Sequence, residues 1–281
     1  EVTATAKMDE LAGIGFNGKI GFAYKVNEQL SFGLTYTLPT TVTYKNGKAT
    51  MDMTAQFNDA FGKAMMGYMF SNPSATPAEA EAAVMAMFGS LGIDMTKGVA
   101  ANYDLEVELS FPQSIAFGFS YAPTTEFRVS GDFEWLNWEK AFDKMTINLK
   151  NGKNTNINTM MGNNGTFSLE FPMNWKNSVV VKVGGEYDLS DAVTIRLGYA
   201  YGSNPVPEST VFPVFPAIVE NHLTFGGSFK VSNPLTLHAA FETALNKSQT
   251  ASNPSIIANE YNGSTSELST ILIHVSATYS F

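Results

Sequence analysis

The chain has 281 residues, and 15% of them are charged, compared with roughly 25% in an ordinary soluble domain. A formal net charge of −9 offers no basic footprint for a nucleic acid, and the absence of cysteine excludes disulfide and thiolate chemistry. No run of about 18 apolar residues occurs, so the sequence predicts no membrane-spanning helix.

The chain begins with the residues EVTAT. This start has neither the positive charge nor the apolar core of a secretory leader. For an exported protein, it predicts either that a leader has been removed or that an N-terminal part is missing.

Nine segments alternate between apolar and polar residues with a period of two, which is typical of β-strands with one apolar face. In chain order, they cover residues 14–24, 32–36, 115–121, 127–135, 179–187, 193–201, 223–231, 235–241 and 271–281. Aliphatic and aromatic residues occupy one face of each segment. Small, polar and charged residues occupy the other.

The last segment carries the strongest signal. Ile271, Ile273 and Val275 share one face with Tyr279 and Phe281, and Phe281 is the final residue. Strict alternation ending in an aromatic pair is typical of the last strand of an outer-membrane barrel, whose outward face meets lipid.

The connections between these segments alternate in length. Short turns lie near residues 26, 123, 189 and 233, and long connections cover about 46–104, 151–168, 203–218 and 247–266. Outer-membrane barrels have short turns on the periplasmic side and long loops outside, so the pattern predicts a periplasmic C-terminus. A girdle of tyrosines is expected beside the short turns. Its predicted members are Tyr24, Tyr36, Tyr121, Tyr187 and Tyr279.

The predicted fold class is therefore all-β, an antiparallel transmembrane β-barrel. A soluble β-sandwich or a lipocalin-like barrel also alternates, but its apolar face points to a core. The large aromatic residues, the terminal phenylalanine and the loop asymmetry favour the membrane fold. A closed barrel of this kind has an even number of strands. Either residues 1–12 hide another strand or upstream strands are missing, and we favour missing strands.

Three motifs resemble the long-chain fatty acid transporter (FadL) family. They are DFEWLNW at residues 132–138, NWKNS at 174–178 and TIRLGYAYGSNPVP at 194–207. In the third motif, Asn204 stands where the family usually has serine. The resemblance extends from about Gly13 to Phe281, with residues 49–101 aligning poorly.

The resemblance implies a barrel of fourteen strands whose lumen is plugged by an N-terminal hatch. The nine visible strands would match the last nine. Residues 1–281 are then expected to form a single outer-membrane barrel domain that lacks the hatch and the first five strands. The family's lateral opening lies in an early strand and cannot be located in this chain.

Residues 49–101 are predicted to form a helical extracellular insertion. A stripe from Phe57 to Met69 has helical spacing, and a second helix is predicted to start at Thr76-Pro77, with Glu79 completing a capping box. Eight of the thirteen methionines lie between Met51 and Met95. Two interpretations stay open. The helices pack on each other, or they form a flexible apolar groove that captures hydrophobic molecules. The candidate groove residues are Phe61, Met65, Met87 and Phe88.

Charged residues share the parity of the predicted lumen. Most are expected to form cross-strand ion pairs, but one or two cations could hold a ligand carboxylate in an apolar pocket. Lys176 is the preferred candidate, because it precedes the fifth strand and matches a family position associated with ligand contact. Arg128 and Arg196 are the other candidates.

These observations predict passive outer-membrane transport of hydrophobic small molecules, either long-chain fatty acids or aromatic hydrocarbons. The alternatives are a general diffusion porin and a surface adhesin or antigen displayed on a barrel. The three histidines lie on different strands without ligand spacing, and no nucleophile elbow or phosphate loop occurs, so neither an enzyme nor a metal or cofactor site is predicted. The expected partners are a hydrophobic ligand and outer-membrane lipid, with no nucleic acid, and the protein is expected to be a monomer.

Overall fold

A computed structural model describes residues 5–213 and 215–281, so the opening residues 1–4 of the predicted leader-free start lie outside it. The described chain divides into two compact units. Among the described residues, the first unit comprises 5–15, 42–109 and 145–170, and the second comprises 16–41, 110–144, 171–213 and 215–281.

The second unit contains a nine-stranded antiparallel sheet. Its strands are β2 (Lys19–Lys25), β3 (Leu30–Thr37), β6 (Ser114–Tyr121), β7 (Phe127–Leu136), β10 (Ser178–Ser190), β11 (Val193–Gly202), β12 (Asn221–Lys230), β13 (Leu235–Thr250) and β14 (Thr265–Tyr279). These are the nine strands that alternation predicted. Strands that are consecutive in this series are neighbours in the sheet, which makes the sheet a meander.

Tight turns join β2 to β3, β6 to β7, β10 to β11 and β12 to β13, as predicted. The tyrosine girdle needs one correction. Tyr36 lies at the far end of β3 from its short turn, where its hydroxyl donates to Gln113 Oε1 at 2.8 Å. Alternation predicts correctly which face of the sheet Tyr36 occupies. It does not predict where β3 ends, and so it could not show that Tyr36 lies at the end opposite the short turn.

The first unit is built around a five-stranded sheet that the sequence analysis missed. Its strands are β1 (Thr5–Asp9), β4 (Thr40–Asp52), β5 (Ala100–Phe111), β8 (Lys144–Lys150) and β9 (Phe167–Pro172), neighbours in that order. The second half of β4 and the first residues of β5 fall inside residues 46–104, which had been assigned to a connection. The N-terminal residues do contain a strand, β1, but it pairs with β4 rather than joining the nine-stranded sheet.

Both helices predicted in the insertion are present. They are α1 (Thr54–Ser71) and α2 (Pro77–Ser90), and α2 starts with the predicted capping box between Thr76 and Glu79. Two short helices follow, α3 (Trp138–Ala141) and α4 (Thr155–Met160). Within the described residues, no helix is long and apolar enough to cross a membrane.

The fully buried residues of the second unit lie mainly in loops rather than on the wide sheet. Met173, Trp175, Val206, Val211 and Ile218 are all buried in the segments beyond the strand ends. The Thr210 hydroxyl donates to Met173 O at 2.6 Å inside this cluster. These loops therefore pack into a small core at the end of the sheet opposite the short turns.

Candidate functional site

The nine-stranded sheet has two chemically different faces. On one face, large apolar side chains contact little other protein: Leu197 is 68% exposed, Phe225 58% and Ile273 74%. Burying one such side chain is worth roughly 1.5–3 kcal/mol, so a continuous apolar row of this kind requires a hydrocarbon environment. The apolar row is therefore outside, as the membrane fold requires, and not packed into a core.

The opposite face holds a cavity of about 680 Å³. The side chains that point into it come from five neighbouring strands. They are Arg128, Ser130, Asp132, Lys182, Glu186, Arg196, Ala200, His222, Thr224 and Glu242. This volume is in the range of known small-molecule sites.

Two glycines form the floor of the cavity. Gly184 of β10 and Gly198 of β11 are register partners, and both occupy the cavity face. A Cβ added at Gly198 would lie 2.5 Å from the Thr224 hydroxyl, whereas one added at Gly184 would meet nothing closer than 3.5 Å. The cavity thus exists because these positions lack side chains, and Gly184 has room for a larger residue.

A charged row borders the floor on the side of the short turns. Glu186 accepts hydrogen bonds from Arg128 Nη1 at 3.0 Å and from Arg196 Nε at 2.6 Å, one at each carboxylate oxygen. The three residues lie side by side because Glu186 is the register partner of both arginines. The two predicted arginines are therefore brought together, and each is already paired with a carboxylate.

The polar chain continues across three more strands. Arg196 Nη1 donates to Ser228 Oγ at 2.5 Å, Ser228 Oγ lies 2.7 Å from His238 Nδ1, and His238 Nε2 lies 3.0 Å from Thr278 Oγ1. Side-chain contacts on this face therefore run from Arg128 on β7 to Thr278 on β14.

Two further charged or titratable side chains of the cavity have acidic partners. Lys182 Nζ lies 3.7 Å from Glu134, and His222 Nδ1 lies 3.0 Å from Glu242. The described lining has three basic and three acidic side chains. A ligand carboxylate in this cavity would have to compete with a protein carboxylate for each cation.

Lys176 does not line this cavity. It lies before β10, with its side chain exposed and its backbone N–H bonded to Pro205 O at 2.8 Å. Its neighbour Trp175 is buried among aromatic rings: Trp138 at 4.9 Å, Phe142 at 4.8 Å and Phe215 at 6.3 Å between ring centroids. Among the described residues, no hydrogen bond or ion pair holds the Lys176 ammonium. The structure thus separates Lys176 from the two arginines.

The helical candidates lie in the first unit. Phe88 packs against Phe57 at 5.4 Å and Phe61 at 5.8 Å between ring centroids, so part of the two stripes pairs across the helix hairpin. Met65 is half-buried, and Met87 is 47% exposed. The hairpin therefore combines a packed aromatic contact with an exposed thioether surface.

Sequence reasoning missed the glycine floor and the bridging role of Glu186. The signal for the floor was available, because Gly184 and Gly198 share the parity of the charged residues on adjacent strands. The bridge depends on register, and alternation within single strands does not determine register.

A family model described as an outer membrane protein transport protein family (OMPP1/FadL/TodX) matches residues 3–281. The chain belongs to this family. The OMPP1/FadL/TodX family is one of outer-membrane transport proteins rather than enzymes, and the resemblance stated from the three motifs is confirmed.

Solved structures show the same fold as this OMPP1/FadL/TodX chain. The Pseudomonas putida toluene transporter TodX has a TM-score of 0.60 at 16% identity, covering 96% of this chain and 50% of TodX. The Ralstonia pickettii toluene transporter TbuX has a TM-score of 0.57 at 16% identity, covering 94% and 48%. A Pseudomonas aeruginosa FadL homologue has 0.50 at 16% identity, covering 98% and 68%. The chain thus spans about half the length of the two toluene transporters. No curated protein matches it.

Proposed function

We propose that this chain forms part of an outer-membrane channel through which small hydrophobic molecules diffuse passively, with the cavity over Gly184 and Gly198 as a binding station. The observation that carries the proposal is the cavity itself, set on the polar face of a sheet whose other face is fully apolar. The family supports transport, and TodX and TbuX are toluene transporters.

The paired charges favour uncharged ligands in this cavity. A neutral ring or chain can lie over the glycine floor without displacing Glu186 from its two arginines. A carboxylate would have to break charge-assisted hydrogen bonds, each worth about 1.5–3 kcal/mol. Aromatic hydrocarbons therefore suit this cavity better than fatty acids.

Two adjacent glycines provide a matched test. Gly184→Leu places an isobutyl group in the cavity, while Gly185→Leu places the same group on the opposite face of the same strand. We expect uptake of radiolabelled toluene by cells carrying the protein to fall about tenfold for Gly184→Leu, the equivalent of about 1.4 kcal/mol, and to stay unchanged for Gly185→Leu. Equal uptake by both variants, at equal outer-membrane levels of folded protein, would remove the cavity from the transport route.

Lys176 supports a second ligand class at a different place. Its exposed ammonium has no partner among the described residues. Phe215, which stacks on the adjacent residue Trp175, exposes 58% of its surface. A fatty acid can place its carboxylate at Lys176 and the start of its chain against this aromatic surface. We propose Lys176 as a capture site for carboxylates that precedes the cavity.

The test for Lys176 is a tryptophan-quenching titration with oleate. Trp175 is adjacent in sequence and reports binding directly. Lys176→Ala is expected to weaken oleate binding about tenfold, the loss of one charge-assisted contact of about 1.4 kcal/mol. Lys140→Ala, which removes an exposed lysine of the short helix α3, is expected to leave the affinity unchanged. Unchanged oleate affinity in Lys176→Ala would exclude it as a carboxylate site.

The proposal of external capture extends to the helix hairpin, where Phe61, Met65, Met87 and Phe88 remain candidates. We propose that the exposed methionine surface of the hairpin collects hydrophobic molecules before they enter the channel. Polarizable, flexible methionine side chains adapt to irregular apolar ligands. We further propose that the short turns face the periplasm, that the C-terminus lies there, and that the protein acts as a monomer.

A further inference from the structure

The apolar face of the nine-stranded sheet contains a groove separate from the cavity. The groove has a volume of about 570 Å³. Apolar side chains line it on all sides: Phe127, Val129, Ile195, Leu197 and Phe225, together with the ring of Tyr187.

The groove exists because Gly185 occupies a position on this face where the neighbouring strands carry large side chains. Its register partners are Val129 on β7 and Leu197 on β11. A Cβ added at Gly185 would come no closer than 3.8 Å to the Phe127 ring, so the position is open. Phe127 and Tyr187, with ring centroids 6.5 Å apart, close the groove at the end near the short turns.

The groove does not lead into the cavity. β10 and β11 stay paired without interruption through Gly184–Gly198 and Gly185–Leu197, and β10 stays paired with β7 on its other side. The hydrogen-bonded backbone therefore separates the two hollows. A molecule in the groove is held on the outside of the wall and is not in transit through it.

We propose that this groove binds one acyl chain of a zwitterionic membrane phospholipid. The groove is continuous with the exposed apolar row, which includes Leu197 and Phe225, so its surroundings are hydrocarbon. The five residues from Val183 to Tyr187 are four steps of about 3.4 Å and span roughly 14 Å, close to the half-thickness of about 15 Å of a bilayer core. An acyl chain of one leaflet therefore matches the length of the groove.

The charge of the turns at the closed end of the groove indicates which lipid headgroup would be favoured there. The turn after β6 carries Glu126 and the turn after β10 carries Asp191, with no basic residue in residues 122–126 or 188–192. An anionic headgroup would be repelled there, whereas an ammonium-bearing zwitterionic headgroup would be attracted. The groove thus selects a phospholipid by its chain and its headgroup together.

The first experiment uses the unmodified protein. It is placed in nanodiscs of phosphatidylethanolamine containing a trace of the same lipid with a photoreactive diazirine in its tail. We expect cross-links to concentrate on residues 127–129, 183–187 and 195–199. Equal cross-linking of the apolar residues of β13 and β14, which do not line the groove, would overturn the proposal, and so would equal cross-linking when the reactive lipid is phosphatidylglycerol.

A variant series tests the groove by filling it. Gly185→Leu is expected to lower the cross-linking yield at Ile195 and Leu197 about fivefold, a modest change because packing rather than water exclusion drives association inside a bilayer. Gly184→Leu, on the other face, and Val181→Leu, on the same face outside the groove, should keep the wild-type yield. An equal yield in all four proteins would overturn the proposal. The readout is lipid contact, so the result is independent of whether toluene or oleate is transported. If Gly185→Leu fails to fold, the wild-type cross-link map decides alone.

Discussion

Glu186 accepts hydrogen bonds from two arginines on neighbouring strands, so its charge decides what the cavity can bind. Replacing it with glutamine keeps the size of the side chain but removes the competing carboxylate. We expect Glu186→Gln to strengthen oleate binding about tenfold, the gain of one charge-assisted hydrogen bond of about 1.4 kcal/mol, and to leave toluene binding unchanged.

Paired titrations of oleate and toluene measure this effect. Glu242→Gln is the control, because Glu242 also lines the cavity but bonds to His222 rather than to an arginine. Oleate affinity that does not change in Glu186→Gln would show that the arginines are not available to a ligand even when unpaired.

Single residues also show how far the sequence could predict the site. Alternation placed Arg128 and Arg196 on the correct face, and both line the cavity. It could not show that Glu186 joins them, because the contact is set by register between three strands. Lys176 was chosen by resemblance, and the loop around Trp175 that places it away from the arginines is held by tertiary packing that no local pattern encodes.

At the scale of elements, α2 depends on a titratable cap. Glu79 Oε2 accepts from the Thr76 N–H at 2.8 Å, and this backbone hydrogen bond, followed by the one from the Thr76 hydroxyl, lowers the pKa of Glu79 below its ordinary value of 4.5. Because folding lowers this pKa, the stabilisation is complete above pH 4.5 and is lost as the pH falls through the folded pKa.

We therefore expect the first turn of α2 to fray in acid. Hydrogen exchange of the peptide covering residues 77–90, corrected for intrinsic rates, should become faster as the pH falls from about 6 to about 3, through the ordinary range of a glutamate. Glu79→Gln keeps an acceptor for the Thr76 N–H without a titratable charge, so its protection should vary less. The same pH dependence in both proteins would contradict the role of Glu79.

The five-stranded sheet shows why some elements escaped prediction. β5 alternates as strictly as any membrane strand, with Tyr103, Leu105 and Val107 buried between Asp104 and Glu106. The other face of β5 is charged, as in a strand that faces water. The sequence analysis selected segments whose apolar face carries large side chains of a kind that meets lipid. In β4 the buried positions include Gly47 and Ala49, which are too small to give a hydrophobic signal.

At the scale of the whole molecule, the nine-stranded sheet has two edge strands whose outer backbone groups need hydrogen-bond partners in a membrane. Within the described residues, β2 pairs with β3 alone and β14 pairs with β13 alone in this sheet. In the hydrocarbon core each unpaired backbone N–H or C=O costs several kcal/mol, so open edges do not persist there. The apolar side chains of both strands, such as Ile20 at 70% and Ile273 at 74% exposure, indicate that they lie in that core.

We therefore expect both edges to be paired with further strands when the protein is in its membrane, in line with the fourteen strands that the family resemblance implies. Hydrogen exchange in lipid nanodiscs provides the measurement. Amides of β14 between Ile271 and Ala277 should be as protected as those of β11, which has neighbours on both sides. Both strands are measured in the same protein and the same nanodisc, so the lipid environment is the same for β14 and β11. Fast exchange along the outer edge of β14, with β11 protected, would show that the sheet stays open and that its cavity is not enclosed by a barrel.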